Sequence, residues 1–196
     1  MRIGAARSPD QQPCNASTDC AIMLLLALGW CIGVAAPRVR AETPSAEYEV
    51  KAGFLFHFPH FVEWPETAFP NAEAPICIGI LGEDPFGPLL DQLVQGESVR
   101  NRKLIVKRSE KVDDLRACQI LFISRSAKNQ IPQILNALGD APVLTVGETE
   151  GFASRGGIIN FYIQDNRVRF EINPDAARRH GLRISSKLLS LGKIVR

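Results

Sequence analysis

The feature that most constrains the fold of this chain is an unbroken apolar run of six residues, from Ile76 to Leu81. A short continuous run of this kind is typical of a strand buried on both faces of a parallel sheet. Such a strand needs parallel neighbours and helices on both sides. The run therefore favours an α/β domain.

Further apolar segments continue the pattern along the chain. Three more short strands are predicted, at Leu104–Val106, Ile120–Ile123 and Val143–Val146. Helices are predicted between them, one beginning with Asp84 as N-cap and Pro85 as its first residue, and one at Ile131–Leu138. This β-α-β-β-α-β order predicts a single three-layer domain with a mostly parallel, flavodoxin-like sheet.

The cysteines give a possible order for those strands. Five cysteines occur, and only Cys77 and Cys118 lie beyond residue 41, which is the even number expected of one disulfide bridge. The alternative is two unpaired, buried thiols. If the first and third strands are parallel neighbours, both sulfurs lie at one edge of the sheet, within bridging distance. The order 2-1-3-4 of the four predicted strands satisfies this condition.

The two ends of the domain show other patterns. A helix is predicted over Glu47–Phe61, with one apolar face formed by Val50, Phe54, Leu55 and Phe58. In the last third, two apolar or alternating segments flank Asp165-Asn166, which predicts an antiparallel hairpin added to the sheet. Helix starts follow at Asn173-Pro174 and at Ser186, the latter helix running to about Ile194.

The N-terminus predicts export. Arg2 and Arg7 precede an apolar run over residues 21–36, and Val39-Arg40-Ala41 offers the small-x-small pattern of a signal-peptide cleavage site. We therefore expect residues 1–41 to be a signal peptide, and residues 42–196 to form one mature domain in the periplasm. The alternative is an uncleaved membrane anchor.

The charge of the predicted mature domain is balanced. The whole chain has 23 basic and 21 acidic residues, of which four and two lie in residues 1–41, so the remainder has 19 of each. Nucleic-acid binding normally requires a concentrated basic face. The composition therefore argues against a nucleic-acid partner.

Motifs for catalysis, metals or cofactors are weak. Gly79-x-x-Gly82 lacks a third glycine in register, and Glu83 and Asp84 would repel a phosphate there. His57 and His60 have a spacing sometimes seen in metal sites, but phenylalanines flank them. We therefore expect no metal and no cofactor, and favour a binding protein over an enzyme.

Four polar residues near the C-terminus are the candidate binding residues. Glu171, Arg183, Ser185 and Ser186 stand in an otherwise apolar context. One interpretation is structural, with a serine capping the last helix and Glu171 paired with a nearby arginine. The other is a site for a ligand or a protein partner.

Several segments, in order, resemble the YfiR-like family of periplasmic proteins over nearly the whole predicted mature chain. They are Tyr48-x-Val50-Lys51-Ala52-x-Phe54-Leu55-x-x-Phe58-x-x-Phe61-Val62-x-Trp64-Pro65, Gly82-x-Asp84-Pro85-Phe86-Gly87, Cys118-x-Ile120-Leu121-Phe122-Ile123, Val143-Leu144-Thr145-Val146, Gly156-Gly157-x-Ile159, Asn166-Arg167-Val168-Arg169-Phe170-Glu171-Ile172-Asn173 and Ile184-Ser185-Ser186-Lys187-Leu188-Leu189.

The resemblance implies regulation rather than catalysis. YfiR represses an inner-membrane diguanylate cyclase and is itself sequestered by an outer-membrane lipoprotein, so the resemblance implies both kinds of partner. It also implies a homodimer, a bridge matching Cys77–Cys118, and a small aromatic ligand near Glu171, Arg183 and Ser186. The second cysteine pair of the best-known members is absent from this chain.

Overall fold

A computed structural model describes residues 46–196. The helices are α1 (Ala46–Phe61), α2 (Pro88–Val94), α3 (Ile131–Leu138), α4 (Pro174–Arg179) and α5 (Ser186–Leu189). The strands are β1 (Val62–Glu63), β2 (Ile76–Leu81), β3 (Ser98–Val99), β4 (Arg102–Ser109), β5 (Ile120–Ile123), β6 (Leu144–Gly147), β7 (Ile159–Gln164), β8 (Arg167–Ile172), β9 (Arg183–Ile184) and β10 (Lys193–Ile194).

One eight-stranded sheet organises these elements, in the order β10-β8-β7-β6-β5-β2-β4-β3. Strands β4, β2, β5, β6 and β7 are all parallel, and β8 turns back antiparallel to β7. The predicted strand order 2-1-3-4 corresponds to β4-β2-β5-β6 and is confirmed, as is the hairpin. A separate two-stranded sheet pairs β1 with β9.

The core has two parts, one on each face of the sheet. Alternation along β2 sends Ile76, Ile78 and Ile80 into the larger cluster, which packs beneath α1, α2 and α4. Cys77 and Leu81 point to the other face, where they join Ile131, Ile134 and Leu138 of α3. This accounts for the unbroken apolar run, because both faces of β2 are covered. The predicted α/β fold class is confirmed.

The bridge between Cys77 and Cys118 is present, with the two Cα atoms 4.5 Å apart. Cys77 lies on β2, and Cys118 lies two residues before β5, its parallel neighbour. Gln119 supports the same edge of the sheet: its Oε1 accepts from the Cys77 backbone N–H (2.9 Å), and its Nε2 donates to the Ala68 carbonyl (2.8 Å). The disulfide therefore joins two strands that already lie side by side.

Helix α1 covers the sheet through an aromatic cluster. The ring of Phe58 lies 6.0 Å from that of Phe161 on β7, and the ring of Phe54 lies 5.1 Å from that of Phe170 on β8. The expectation that Val50 belongs to this apolar face is wrong, because Val50 is 48% exposed. Pro59 lies inside the helix, which continues to Phe61.

Two predicted helix boundaries are wrong. Helix α2 begins at Pro88, after Gly87, so Asp84 is not its N-cap. The Asp84 carboxylate instead accepts from the Phe86 backbone N–H and pairs with Arg108 at 2.6 Å. The last helix ends at Leu189, and the chain then extends as β10 beside β8, because Ile172 and Glu171 offer a free strand edge there.

The start of helix α4 is as predicted. The Asn173 side chain accepts from the Ala176 backbone N–H, and Pro174 occupies the first turn. Within residues 46–196, no helix combines the length and the apolar character needed to cross a membrane. The predicted signal peptide lies outside the described residues and stays a prediction.

Candidate functional site

A buried ion pair lies where α1 crosses the carboxyl end of β6. Lys51 is in α1, and Glu148 directly follows β6, so one charge comes from the helix and the other from the sheet edge. Lys51 Nζ lies 2.5 Å from Glu148 Oε2, and the two side chains are 2% and 1% exposed. Lys51 also pairs with Glu47, one helical turn earlier. Charges this deeply buried are stable only when they are paired.

The remaining oxygen of Glu148 is also satisfied. Glu148 Oε1 accepts from the Tyr48 hydroxyl at 3.3 Å and from the Arg125 backbone N–H at 3.0 Å. Arg125 follows β5, whose carboxyl end lies beside that of β6 in a parallel sheet. Burial, and then the negative charge of Glu148, raise the pKa of Tyr48 to about 12. Tyr48 therefore stays a neutral hydrogen-bond donor.

A cavity of about 590 Å³ adjoins this ion pair. Its walls include the side chains of Lys51 and Glu148, the β7 residues Asn160 and Phe161, and the charged pair Glu171 and Lys193. Asn160 is 2% exposed, and its Oδ1 has no hydrogen-bond partner among residues 46–196. A buried carboxamide of this kind is unusual in a folded protein, and its presence in a cavity wall suggests a ligand contact.

Of the predicted binding residues, Glu171 lies in this cavity. Lys193 Nζ donates to Glu171 Oε1 at 3.0 Å, and this hydrogen bond raises the pKa of Lys193. The interpretation that Glu171 pairs with an arginine is therefore wrong. Lysine takes that place because β10 runs parallel to β8 and sets Lys193 opposite Glu171.

The other predicted residues lie elsewhere. Arg183 and Ser185 border a second cavity of about 220 Å³, together with Glu63 and Arg100. Ser185 caps α5, accepting from the Leu188 backbone N–H at 3.2 Å, as one interpretation predicted. Ser186 is exposed at the first turn of α5. The structure thus brings Arg183 and Ser185 to one cavity and Glu171 to another, and the binding role of all four stays a prediction.

His57 and His60 are both exposed, with ring centroids 6.2 Å apart. Within the described part of the chain, no group of three or more histidine, cysteine, aspartate or glutamate side chains is arranged to hold a metal ion.

Sequence reasoning missed Lys51, Glu148 and Asn160. A signal for two of them was present. Lys51 interrupts the apolar residues of α1 one turn after Glu47, and Asn160 interrupts the apolar run that becomes β7. Polar residues inside apolar segments are candidates for paired or functional groups. Glu148 carried no such signal, since it stands beside Thr149 and Glu150 in a polar turn.

The fold defines a single α/β domain, and comparison with known proteins gives its family. The chain belongs to the YfiR/HmsC-like family, whose model matches residues 48–193. This confirms the resemblance found in the sequence segments. Family membership supports a role in regulation rather than catalysis.

One solved structure shows the fold at low identity. A conserved domain protein from Vibrio cholerae is 12% identical over 78% of this chain, with a TM-score of 0.52. The two proteins therefore share a fold. The match covers only 61% of the Vibrio protein's own chain. The ABC domain from Streptococcus pneumoniae, solved in complex with L-Trp, is 9% identical, with a TM-score of 0.45 and coverage of 61% of this chain and 55% of that one.

Proposed function

We propose that this protein is a periplasmic regulator that holds an inner-membrane diguanylate cyclase inactive and so lowers cellular cyclic di-GMP. The observation that carries the proposal is the family match, which spans residues 48–193. The predicted signal peptide agrees with the compartment, and the Cys77–Cys118 bridge is of the kind that persists in oxidising compartments.

The surface of the domain supports docking through apolar contact. With 19 basic and 19 acidic residues after residue 41, the domain has no net charge to steer a partner over long distances. Val50 and Ile163 are 48% and 49% exposed, and both line a cavity of about 410 Å³. Exposed apolar residues that adjoin one another are typical of interaction surfaces.

The test is a deletion followed by complementation. Deleting the gene should raise cyclic di-GMP and surface attachment, because the cyclase would lose its repressor. The unchanged gene should reverse this effect. Glu171→Ala and Arg183→Ala should not, because the loss of an interface anchor commonly weakens binding by about 2 kcal/mol or more.

The matched controls are Glu110→Ala and Arg179→Ala, which remove one negative and one positive charge as the two test variants do. Both residues are exposed, and neither forms an ion pair among the described residues. All four variants should be exported and folded. If deletion leaves cyclic di-GMP unchanged in cells that carry a cyclase in the same operon, the repressor proposal fails.

A second candidate function is small-molecule binding without a cyclase partner, and the cavity of about 590 Å³ beside Asn160 favours it. A volume in this range accommodates an amino acid or a small aromatic compound. Mass spectrometry of molecules released from the purified protein separates the two candidates. The homodimer and the outer-membrane lipoprotein partner also belong to the proposal, and light scattering and co-purification test them.

A further inference from the structure

Strand β7 continues beyond the end of its neighbour β6. The last residue of β6, Gly147, pairs with Asn160, whereas β7 runs on to Gln164. In the described part of the chain, residues 161–164 therefore pair with β8 on one side and with no strand on the other. The cavity of about 590 Å³ borders this edge, since Phe161, Tyr162 and Ile163 line it, and it also extends to Glu171 on β8 and Lys193 on β10.

The hairpin fixes which backbone groups face that side. Asp165 and Asn166 have φ values of 50° and 57°, as in a two-residue type I′ turn. In such a hairpin Gln164 and Arg167 form a hydrogen-bonded pair. Hydrogen-bonded and non-hydrogen-bonded pairs alternate along an antiparallel ladder, so the next pair, Ile163 with Val168, is not hydrogen-bonded. The N–H and C=O of Ile163 consequently point away from β8. The cavity thus contains a short, unpaired strand edge.

Asn160 supplies a second contact at the end of this edge. Its carboxamide is almost fully buried in the cavity wall, and its Oδ1 has no partner among residues 46–196. A carboxamide carries both a donor and an acceptor, which is the complement of a peptide group. Glu148, in the cavity wall, does not require a cationic ligand, because its oxygens already accept hydrogen bonds from Lys51, Tyr48 and Arg125.

We propose that this cavity binds an extended peptide segment of a partner protein, which adds as a strand along β7 in the line of β6. Backbone groups of Ile163 and the carboxamide of Asn160 hydrogen-bond to the segment, as in other cases of strand addition to a sheet edge. The edge reaches the surface at Ile163, which is 49% exposed, so the segment can belong to a longer chain. Glu150 at the rim has no ion-pair partner in the described part of the chain, which favours a neutral or basic segment.

The test uses a synthetic probe and does not depend on a cyclase partner. The probe is a peptide of alternating valine and threonine with one lysine, acetylated and amidated at its ends. Titration calorimetry should show saturable binding by the exported protein, and NMR should show the backbone amides of Asn160 to Ile163 shifting. Asn160→Leu should weaken binding about tenfold or more, because a buried hydrogen bond to the ligand is lost.

The variants are designed to separate binding from folding. Asn160→Leu replaces an unpartnered carboxamide with an apolar group of similar shape, so thermal stability should stay equal or rise. Ile163→Pro removes the N–H that faces the cavity without removing a bond to β8, and should also weaken binding. Asn136→Leu is the matched control, because Asn136 is an exposed carboxamide on α3.

Three results would overturn the proposal. The first is an absence of saturable binding at about 1 mM probe, the weak end of specific affinities. The second is equally tight binding of the same peptide N-methylated at every residue, which has no backbone N–H left to pair with a strand edge. The third is binding that requires a free amino or carboxyl end, which would identify free peptides rather than a partner segment as the ligand.

Discussion

Lys51 and Glu148 are separated by 97 positions in the chain, yet they form an ion pair in which neither side chain is more than 2% exposed. The pair joins helix α1 to the carboxyl end of β6 in the central sheet. It also forms part of the wall of the cavity of about 590 Å³. Its contribution to stability is open to direct measurement.

Removing one charge of this pair should destabilise the domain strongly. Lys51→Met leaves the Glu148 carboxylate buried without its cation, and the expected loss in the free energy of unfolding is about 3–5 kcal/mol. The double variant Lys51→Met/Glu148→Leu should recover much of this loss. Urea unfolding measures both. Arg178→Met is the control, because it breaks the exposed pair with Asp175 and should cost less than about 1 kcal/mol. A similarly small cost for Lys51→Met would contradict the prediction.

The raised pKa of Tyr48 should make stability depend on alkaline pH. The folded state holds the Tyr48 proton up to a pKa of about 12, above the ordinary tyrosine pKa of 10.0. Between these values the folded state binds more protons than the unfolded state, so stability falls as pH rises. The stabilisation is complete below pH 10.0 and is lost as pH approaches 12. Tyr48→Phe should flatten this part of the stability curve, and an unchanged slope in that variant would count against the assignment to Tyr48.

Breaking the disulfide should lower stability by about 2–5 kcal/mol, the usual cost of losing a native bridge in a small secreted domain. Cys77→Ser, Cys118→Ser and the double variant should lose similar amounts, because each removes the same constraint. Denaturant unfolding gives the values. Thiol titration of the native oxidised protein supplies the check, since Cys77 and Cys118 should not react, and two reactive thiols there would disprove the bridge.

The two helix caps should differ in strength. Asn173 is buried and makes two bonds, accepting from the Ala176 N–H and donating to the Ala153 carbonyl, each at 2.9 Å. Asn173→Ala should therefore cost about 2–3 kcal/mol, because it removes a cap and the shorter of the two hydrogen bonds that the Ala153 carbonyl accepts, the other coming from the Gly156 N–H at 3.4 Å. Ser185→Ala removes a cap alone and should cost about 1 kcal/mol. Equal losses in thermal unfolding experiments would show that the second bond of Asn173 contributes little.

Export predicts a defined N-terminus. The small-x-small pattern at Val39-Arg40-Ala41 should be cleaved, so the periplasmic protein should begin at or near Glu42. Intact-mass spectrometry of the periplasmic fraction measures this directly. An unprocessed chain found only in the cytoplasm would refute the prediction.

Local patterns predicted the elements, and one covalent constraint predicted their order. The run Ile76–Leu81 and the turn Asp165-Asn166 carry strong local signals, because burial on both faces and a two-residue turn each restrict the residue types allowed. Placing Cys77 and Cys118 at one edge then left few arrangements of the parallel strands. The strand order was predictable for that reason.

The features that were not predictable depend on contacts between distant parts of the chain. Nothing near Glu148 in the sequence indicates that a lysine from α1 lies above it. The sequence around Asp84 has the form of a helix cap, but pairing with Arg108 on β4 holds that carboxylate outside α2. Residues 193–194 were predicted as helix, yet the unpaired edge of β8 draws them into the sheet. In each case a tertiary partner overrides a local preference.

The position of β2 between β4 and β5 has a consequence for the order of assembly. In a chain that crosses a membrane with its N-terminus first, the central strand arrives before either neighbour, and it has both neighbours only when β5 has emerged as far as residue 123. In such a chain Cys77 reaches the oxidising side of the membrane 41 residues ahead of Cys118. Because no other cysteine lies beyond residue 41, Cys77 has no incorrect partner within the mature chain during that interval. Oxidation therefore coincides with the arrival of the strand that completes the centre of the sheet.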